Sequence, residues 1–135
     1  MFILLLELNT DVAEESVKKL NNLINNFLSS AEYITGIYVA SLDGLLITYA
    51  SKKDIDPDKV AAMIASISAV GDGVSRELLS DPSTHVIVQS RSGYVIIRRE
   101  GDLVFGVLVQ GVDDSTMGLV MLEFEKLLES ARNIK

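Results

Sequence analysis

The sequence predicts an α+β domain in which a five-stranded antiparallel sheet carries helices on both faces, in the order α-β-β-α-β-β-β-α. Two observations support this fold class. Apolar residues recur at helical spacing in three segments, and five short runs with strand composition are separated mostly by tight turns. At 135 residues the chain is expected to form one domain over 1–135, with 1–9 as an apolar N-terminal extension.

The first helix is predicted to begin at Thr10 or Asp11 and to run to about Glu32, because Asp11 and Glu14 have capping-box spacing. The last helix is predicted after a cap at 113–115. Its core-facing stripe is expected to comprise Met117, Val120, Met121, Phe124, Leu127, Leu128 and Ala131.

Between these helices, residues 36–41 and 45–50 form a predicted hairpin around Asp43-Gly44, a dipeptide that suits a tight turn. Residues 85–90, 94–99 and 103–110 are predicted to form a meander. The last of these strands is apolar on both faces and must therefore be covered on both. We expect the terminal helices on one face of the sheet and the central helix on the other.

The central helix is predicted over 57–79, with Asp56 as its N-cap and Pro57 at its first position. From Val60 to Ser75 its only ionisable side chain is Asp72, which is unusual for a surface helix. One side is predicted to be an ordinary core stripe, made of Val60, Met63, Ile64, Ile67, Val70, Val74 and Leu78. The other side is predicted to contact another chain through small residues, namely Ala61, Ala62, Ala65, Ser66, Ser68, Ala69, Asp72, Gly73 and Ser75.

Composition argues against several function classes. The absence of cysteine removes disulfide, thiolate-metal and cysteine-nucleophile chemistry and favours a reducing, cytoplasmic location. A net charge of −7 without any basic run argues against nucleic acid as a partner. The apolar residues 2–6 are far shorter than the roughly 20 residues of a membrane span and lack a basic leader. We expect no membrane insertion and interpret 1–9 as an added strand or a packed arm.

The search for catalytic, metal and cofactor sites finds no supporting pattern. His85 is the only histidine and is interpreted as a partly exposed strand residue. Asp54, Asp56 and Asp58 alternate as in a calcium loop, but a proline interrupts them and the required glycine and glutamate are missing. The glycines of 71–73 lie within a helical pattern and are attributed to close packing rather than to phosphate binding. We expect no enzymatic activity, no cofactor and no metal.

The predicted hairpin and the small-residue helix after it resemble the Roadblock family, which includes dynein light chains, Ragulator subunits and MglB-type regulators. The similar stretch is Ile34-Thr35-Gly36-Ile37-Tyr38-Val39-Ala40-Ser41-Leu42-Asp43-Gly44-Leu45-Leu46-Ile47. A glycine enters the first strand, an Asp-Gly turn follows, and a long helix rich in small residues comes next. The resemblance extends from about residue 12 to 132, and the apolar residues 1–8 depart from the family pattern.

The resemblance implies a homodimer or heterodimer in which the third strands pair antiparallel and the central helices pack together, giving one continuous sheet across both chains. It implies no catalytic residues. The dimer or partner interface it implies comprises Ala62, Ala65, Ser66, Ala69, Gly73, His85, Val86, Ile87, Val88 and Gln89.

Members of this family act as platforms or regulators for Ras-like small GTPases, and MglB-type dimers accelerate hydrolysis by reshaping the GTPase's own active site. The resemblance therefore implies a non-enzymatic dimeric regulator or scaffold of such a GTPase, either an activator or a passive platform. A structural adaptor in a transport or motility complex is one alternative. A small-molecule sensor of PAS or profilin-like architecture is another, but it needs a cavity with convergent polar groups, whereas the interior here is predicted to be apolar.

Overall fold

The computed structural model describes residues 10–111 and 114–134. The predicted order and fold class are confirmed. The elements are α1 (Thr10–Ser30), β1 (Ile34–Ser41), β2 (Leu46–Ser51), α2 (Pro57–Leu79), β3 (Val86–Ser90), β4 (Gly93–Glu100), β5 (Leu103–Gln110), a 3₁₀ turn (Asp114–Thr116) and α3 (Met117–Arg132). The N-terminal extension and the predicted capping side chains of Asp11, Asp113 and Asp114 lie outside the described part of the chain.

The five strands form one antiparallel sheet in the order β2-β1-β5-β4-β3. Ser41 pairs with Leu103 and Glu100 pairs with Leu103, so the β1–β2 and β4–β5 turns lie at the same end of the sheet. At the first turn Gly44 has a φ of 88°, a conformation that favours glycine. β2 and β3 are the two edge strands of this sheet.

Two hydrophobic clusters lie on opposite faces of the sheet, as the pattern of β5 predicts. Phe105 of β5 and Phe124 of α3 are fully buried in the larger cluster, which α1 and α3 cover together. The smaller cluster lies under α2 and comprises Tyr38, Ala40, Ala61, Ile64, Ile97 and Val104. Within the described residues a single helix therefore covers the second face, and it leaves part of that face exposed.

Local chemistry sets both ends of α2. Asp56 Oδ1 accepts a hydrogen bond from the backbone N of Asp58 at 3.1 Å, and Pro57 occupies the first position, where its missing N–H costs nothing. The helix ends at Ser80, which has a left-handed φ of 56° and donates its backbone N–H to Arg76 O at 3.1 Å. Asp56 therefore acts as a helix cap, the role predicted for it.

Candidate functional site

Helix α2 exposes most of the large apolar side chains that the sequence assigned to the core. Met63 is 52% exposed, Val70 65%, Val74 52% and Leu78 74%, so the predicted core stripe is wrong at these four positions. Ile64, at 4% exposed, is the one member of that stripe that is buried. The helix is thus rotated about its axis relative to the prediction, and an apolar surface is left facing outward.

Close approach of α2 to its surroundings explains this rotation. A Cβ added to Gly44 would lie 3.3 Å from Ala62 Cα, and one added to Gly106 would lie 3.1 Å from Ile64 Cγ2. At Gly71 the helix approaches Val86 even more closely. Glycine is needed on one side of each of these contacts. The buried residues of α2 are Ala61, Ile64 and Ala65, so two of the three are small.

Because of this rotation, part of the predicted small-residue contact surface is exposed and part of it is buried. Ala62, Ser66, Ala69 and Gly73 are exposed on α2, as a contact surface for another chain requires. Ala61 and Ala65 are the exceptions, because they are only 0% and 5% exposed, and Ala65 lies close to the β1–β2 turn of its own protomer. Both therefore belong to the protomer core and offer no surface to a second chain, so the prediction is wrong at these two positions.

The two edges of the sheet differ in how they are covered. At β2, the side chain of Asn21 in α1 donates to Thr48 Oγ1 at 2.7 Å and to the Tyr49 backbone O at 3.2 Å. At β3, the described chain places β4 on one side and no strand on the other. An edge of this kind is ready to pair with another strand.

The predicted β3 residues lie at or beside the edge of the sheet. His85 precedes the strand, and it is half-buried together with Val86 and Ile87, whereas Val88 and Gln89 are exposed. Val86 packs in the cluster under α2, so by strand alternation Val88 is on the same face of the sheet. We call the exposed apolar residues of this face the α2–β3 surface, which comprises Met63, Val70, Val74, Leu78 and Val88.

A second feature is a cavity of about 540 Å³ between α2 and the sheet end that carries the β1–β2 and β4–β5 turns, which we call the α2 groove. Val86, Ile97 and Val104 give it apolar surface. Its polar and charged residues are Ser68, Asp72, Arg76, Ser83, Thr84, His85 and Arg99. The sequence predicts an apolar interior, and the two hydrophobic clusters agree with this, but it does not predict this groove, in which polar side chains converge beside α2.

Asp72 organises one side of the α2 groove. Its Oδ2 accepts from Arg76 Nε at 2.7 Å, and its Oδ1 accepts from the backbone N and the Oγ of Ser83 at 2.9 and 3.2 Å. The Arg76 hydrogen bond, followed by that from the Ser83 backbone, lowers the pKa of the Asp72 carboxyl below its ordinary value. Asp72 thus fixes both a guanidinium and the loop that leads into β3.

His85 and Arg99 reach the groove from other segments. His85 Nδ1 lies 3.0 Å from Thr84 Oγ1, and Arg99 Nε donates to Gly101 O at 3.0 Å. Partial burial, and then the positive charge of Arg98, lower the pKa of the His85 imidazole. Arg76, His85 and Arg99 come from a helix, a loop and a strand, so no sequence motif joins them.

Within residues 10–111 and 114–134, no three His, Asp or Glu side chains are grouped closely enough to hold a metal ion. The helices of the same ranges include none with the length and apolarity needed to cross a membrane.

Comparison with known proteins gives a family match and several similar structures. The Roadblock/LC7 domain model matches residues 20–109, from the middle of α1 to the end of β5. A search of curated protein sequences finds no significant match.

Three solved structures share the fold at low sequence identity. A Roadblock/LC7 domain from Streptomyces avermitilis superposes with a TM-score of 0.73 at 18% identity, covering 83% of this chain and 93% of that one. Myxococcus xanthus MglB gives a TM-score of 0.73 at 18% identity, with 84% of each chain covered. The gliding protein MglB from Thermus thermophilus gives 0.74 at 13% identity, covering 88% of this chain and 90% of that one. The family match spans most of the chain and the fold agrees with it, so this protein belongs to the Roadblock/LC7 domain family.

Proposed function

We propose that this chain is a non-enzymatic, dimeric regulator or scaffold of a Ras-like small GTPase and that it works in the cytoplasm. The α2–β3 surface is the observation that carries the proposal. It combines exposed apolar side chains on α2 with the edge strand β3, whose outer side has no strand beside it in the described chain. Exposed apolar side chains grouped in this way are typical of an interaction site.

A second copy of the chain fits this surface. Two β3 edges related by a two-fold axis pair antiparallel, which continues the sheet from one protomer into the next. The same symmetry brings the two α2 helices side by side, so that Met63, Val70 and Val74 of each protomer are covered by the other. Full burial of one such side chain contributes roughly 1.5 to 3 kcal/mol. Several per protomer offset an association cost of about 4 to 15 kcal/mol.

Similarity to MglB structures supports an assembly of this type. One similar structure, with a TM-score of 0.73 and 17% identity, is MglB in a tetrameric arrangement. For this chain we propose a homodimer as the basic unit, with the surface that remains free around α2 as the contact for the GTPase. The protein then acts on nucleotide turnover through its partner's active site, because its sequence contains no phosphate-binding loop of its own.

The dimer is tested by light scattering after gel filtration at low micromolar concentration. The expected mass is twice the protomer mass of 14.7 kDa. A protomer mass under these conditions would contradict the proposed dimer and remove the reason for assigning the α2–β3 surface to a second copy.

The GTPase role is tested by measuring binding and single-turnover GTP hydrolysis with a Ras-like GTPase from the same source. Faster hydrolysis in the presence of the chain identifies an activator, and binding without a change in rate identifies a scaffold. Absence of binding to every Ras-like GTPase of that source, by a chain that is nevertheless dimeric, would favour the structural adaptor instead.

A further inference from the structure

We propose that the α2 groove binds a small oxyanion, such as an organic phosphate or a polycarboxylate. The inference does not rest on the proposed function, because the groove lies within one protomer and is lined by its own side chains. Its volume of about 540 Å³ falls in the range of small-ligand sites, roughly 300 to 1,000 Å³.

The first argument concerns the hydrogen bonds of Asp72, which among the described residues is the one acidic side chain that lines the groove. Both of its oxygens already accept hydrogen bonds, from Arg76 on one side and from Ser83 on the other. The carboxylate therefore holds its neighbours in place and has little capacity left to bind a cation. In the part of the chain that the structure describes, Arg76 bonds Asp72 through Nε alone, so the remaining N–H donors of its guanidinium are open to another acceptor.

The second argument is a second guanidinium held in the same way. Arg99 of β4 donates through Nε to Gly101 O, a contact that orients the side chain without neutralising its charge. The groove thus combines two positioned guanidiniums in a protein whose net charge is −7. Arginine forks of this kind bind phosphate and carboxylate oxygens in pairs, with charge-assisted hydrogen bonds.

The remaining lining residues fit the same ligand class. Ser68 and Thr84 supply hydroxyl groups, and Val86, Ile97 and Val104 supply apolar surface that strengthens the nearby electrostatic interactions. His85 lines the groove together with charged side chains from α2 and β4, and the positive charge of Arg98 also acts on it. Arg76 and Asp72 reach the groove from α2 and Arg99 from β4, while Arg98 of β4 pairs with Glu125 of α3.

His85 makes the proposal measurable, because it is the only histidine in the chain and its imidazole resonances are therefore unambiguous. The full chain is titrated with inorganic phosphate, pyrophosphate and citrate at constant ionic strength, and the His85 resonances are followed by NMR. We expect a saturable change at His85 and a rise in its pKa, because a bound anion stabilises the protonated imidazole.

Three substitutions with the same change in charge locate the site. Arg99→Gln and Arg76→Gln are each expected to weaken binding about tenfold, since each removes charge-assisted hydrogen bonds. Arg91→Gln is the matched control, because Arg91 is exposed in the β3–β4 turn and does not line the groove. Its affinity is expected to equal that of the unmodified chain.

The relative affinities of these anions also distinguish the two ligand classes, organic phosphates and polycarboxylates. Saturable binding of pyrophosphate in preference to citrate supports an organic phosphate, and the reverse preference supports a polycarboxylate. The proposal is overturned if no anion produces a saturable change at His85, or if Arg91→Gln weakens binding as much as Arg99→Gln. Circular dichroism confirms that each variant is folded, and Arg99→Gln is decisive because it leaves the Asp72 contacts intact.

Discussion

Gly71 of α2 packs against Val86 of β3 so closely that position 71 has no room for a side chain. A Cβ built on Gly71 would lie 2.4 Å from Val86 Cγ2. Real Cβ atoms essentially never approach so closely, so the helix rests on this strand at a glycine. The contact holds α2 against the first residue of β3 and thereby sets the relation between the two elements of the α2–β3 surface.

Gly71→Ala tests this contact. The added methyl group forces either the helix or the stiff β-branched Val86 to move, at a typical cost of about 1 to 3 kcal/mol. The higher helix propensity of alanine returns about 1 kcal/mol. We expect a net loss of about 1 kcal/mol in the free energy of unfolding, measured by urea titration. Gly118→Ala is the control, because a Cβ at Gly118 meets nothing within 4 Å.

The element boundaries of α2 could be predicted from the sequence because local chemistry determines them. Asp56 caps the first turn of the helix, and Pro57 restricts the backbone at its first position. Ser80 ends the helix. Each boundary therefore depends on residues within one turn of it. The sequence also indicated that helices cover both faces of the sheet, because β5 is apolar on both of its faces. We therefore expected α1 and α3 on one face and α2 on the other.

The orientation of α2 could not be predicted, because it depends on contacts between distant segments. Gly44, Gly71 and Gly106 lie in a turn, a helix and a strand, and only their positions in the folded chain show that small residues face inward. The spacing of apolar and small residues showed that the helix has two different faces, but it did not show which of them contacts the sheet. The α2 groove was missed for the same reason, since Arg76, His85 and Arg99 converge only in the fold.

Val70→Glu is predicted to dissociate the dimer. Val70 is 65% exposed in the protomer, so a charge there should change the protomer's stability by no more than about 0.5 kcal/mol. In a desolvated helix contact the unpaired carboxylate would cost several kcal/mol. Light scattering should then give the protomer mass while circular dichroism is unchanged.

Leu122→Glu is the matched control, because Leu122 is similarly exposed at 55% but lies on α3. A dimeric Val70→Glu variant would show that Val70 lies outside the interface.

Asp72→Asn is predicted to reduce the loss of stability in acid. The folded pKa of Asp72 is lowered by Arg76 and then by Ser83, so its contribution is fully present above the unfolded pKa of about 3.9. That contribution is lost as the pH falls through the folded pKa. Urea unfolding between about pH 6 and pH 3 should therefore show a smaller decrease for the variant than for the parent chain. Asp43→Asn controls for the loss of one negative charge, and equal decreases in Asp72→Asn and the parent chain would contradict the prediction.

Gly73→Ala is predicted to stabilise the protomer while weakening the dimer. Gly73 is exposed within α2, and a Cβ there would meet nothing within 4 Å in the protomer. Alanine at such a position adds about 1 kcal/mol to the free energy of unfolding through helix propensity alone. This gain should be seen in the Val70→Glu background, where the chain is expected to be monomeric and unfolding reports on the protomer.

In the dimer the same methyl group meets the partner's α2 if the two helices approach closely at Gly73. Insertion of a methyl group into a packed contact costs about 1 to 3 kcal/mol, which corresponds to a roughly tenfold or greater rise in the dissociation constant. Sedimentation equilibrium over a dilution series measures this constant. Gly118→Ala, which lies on α3 and also meets nothing within 4 Å, should leave it unchanged. If Gly73→Ala dimerises as tightly as the parent chain, the two central helices do not meet at this glycine, and the small residues of α2 remain free for the GTPase.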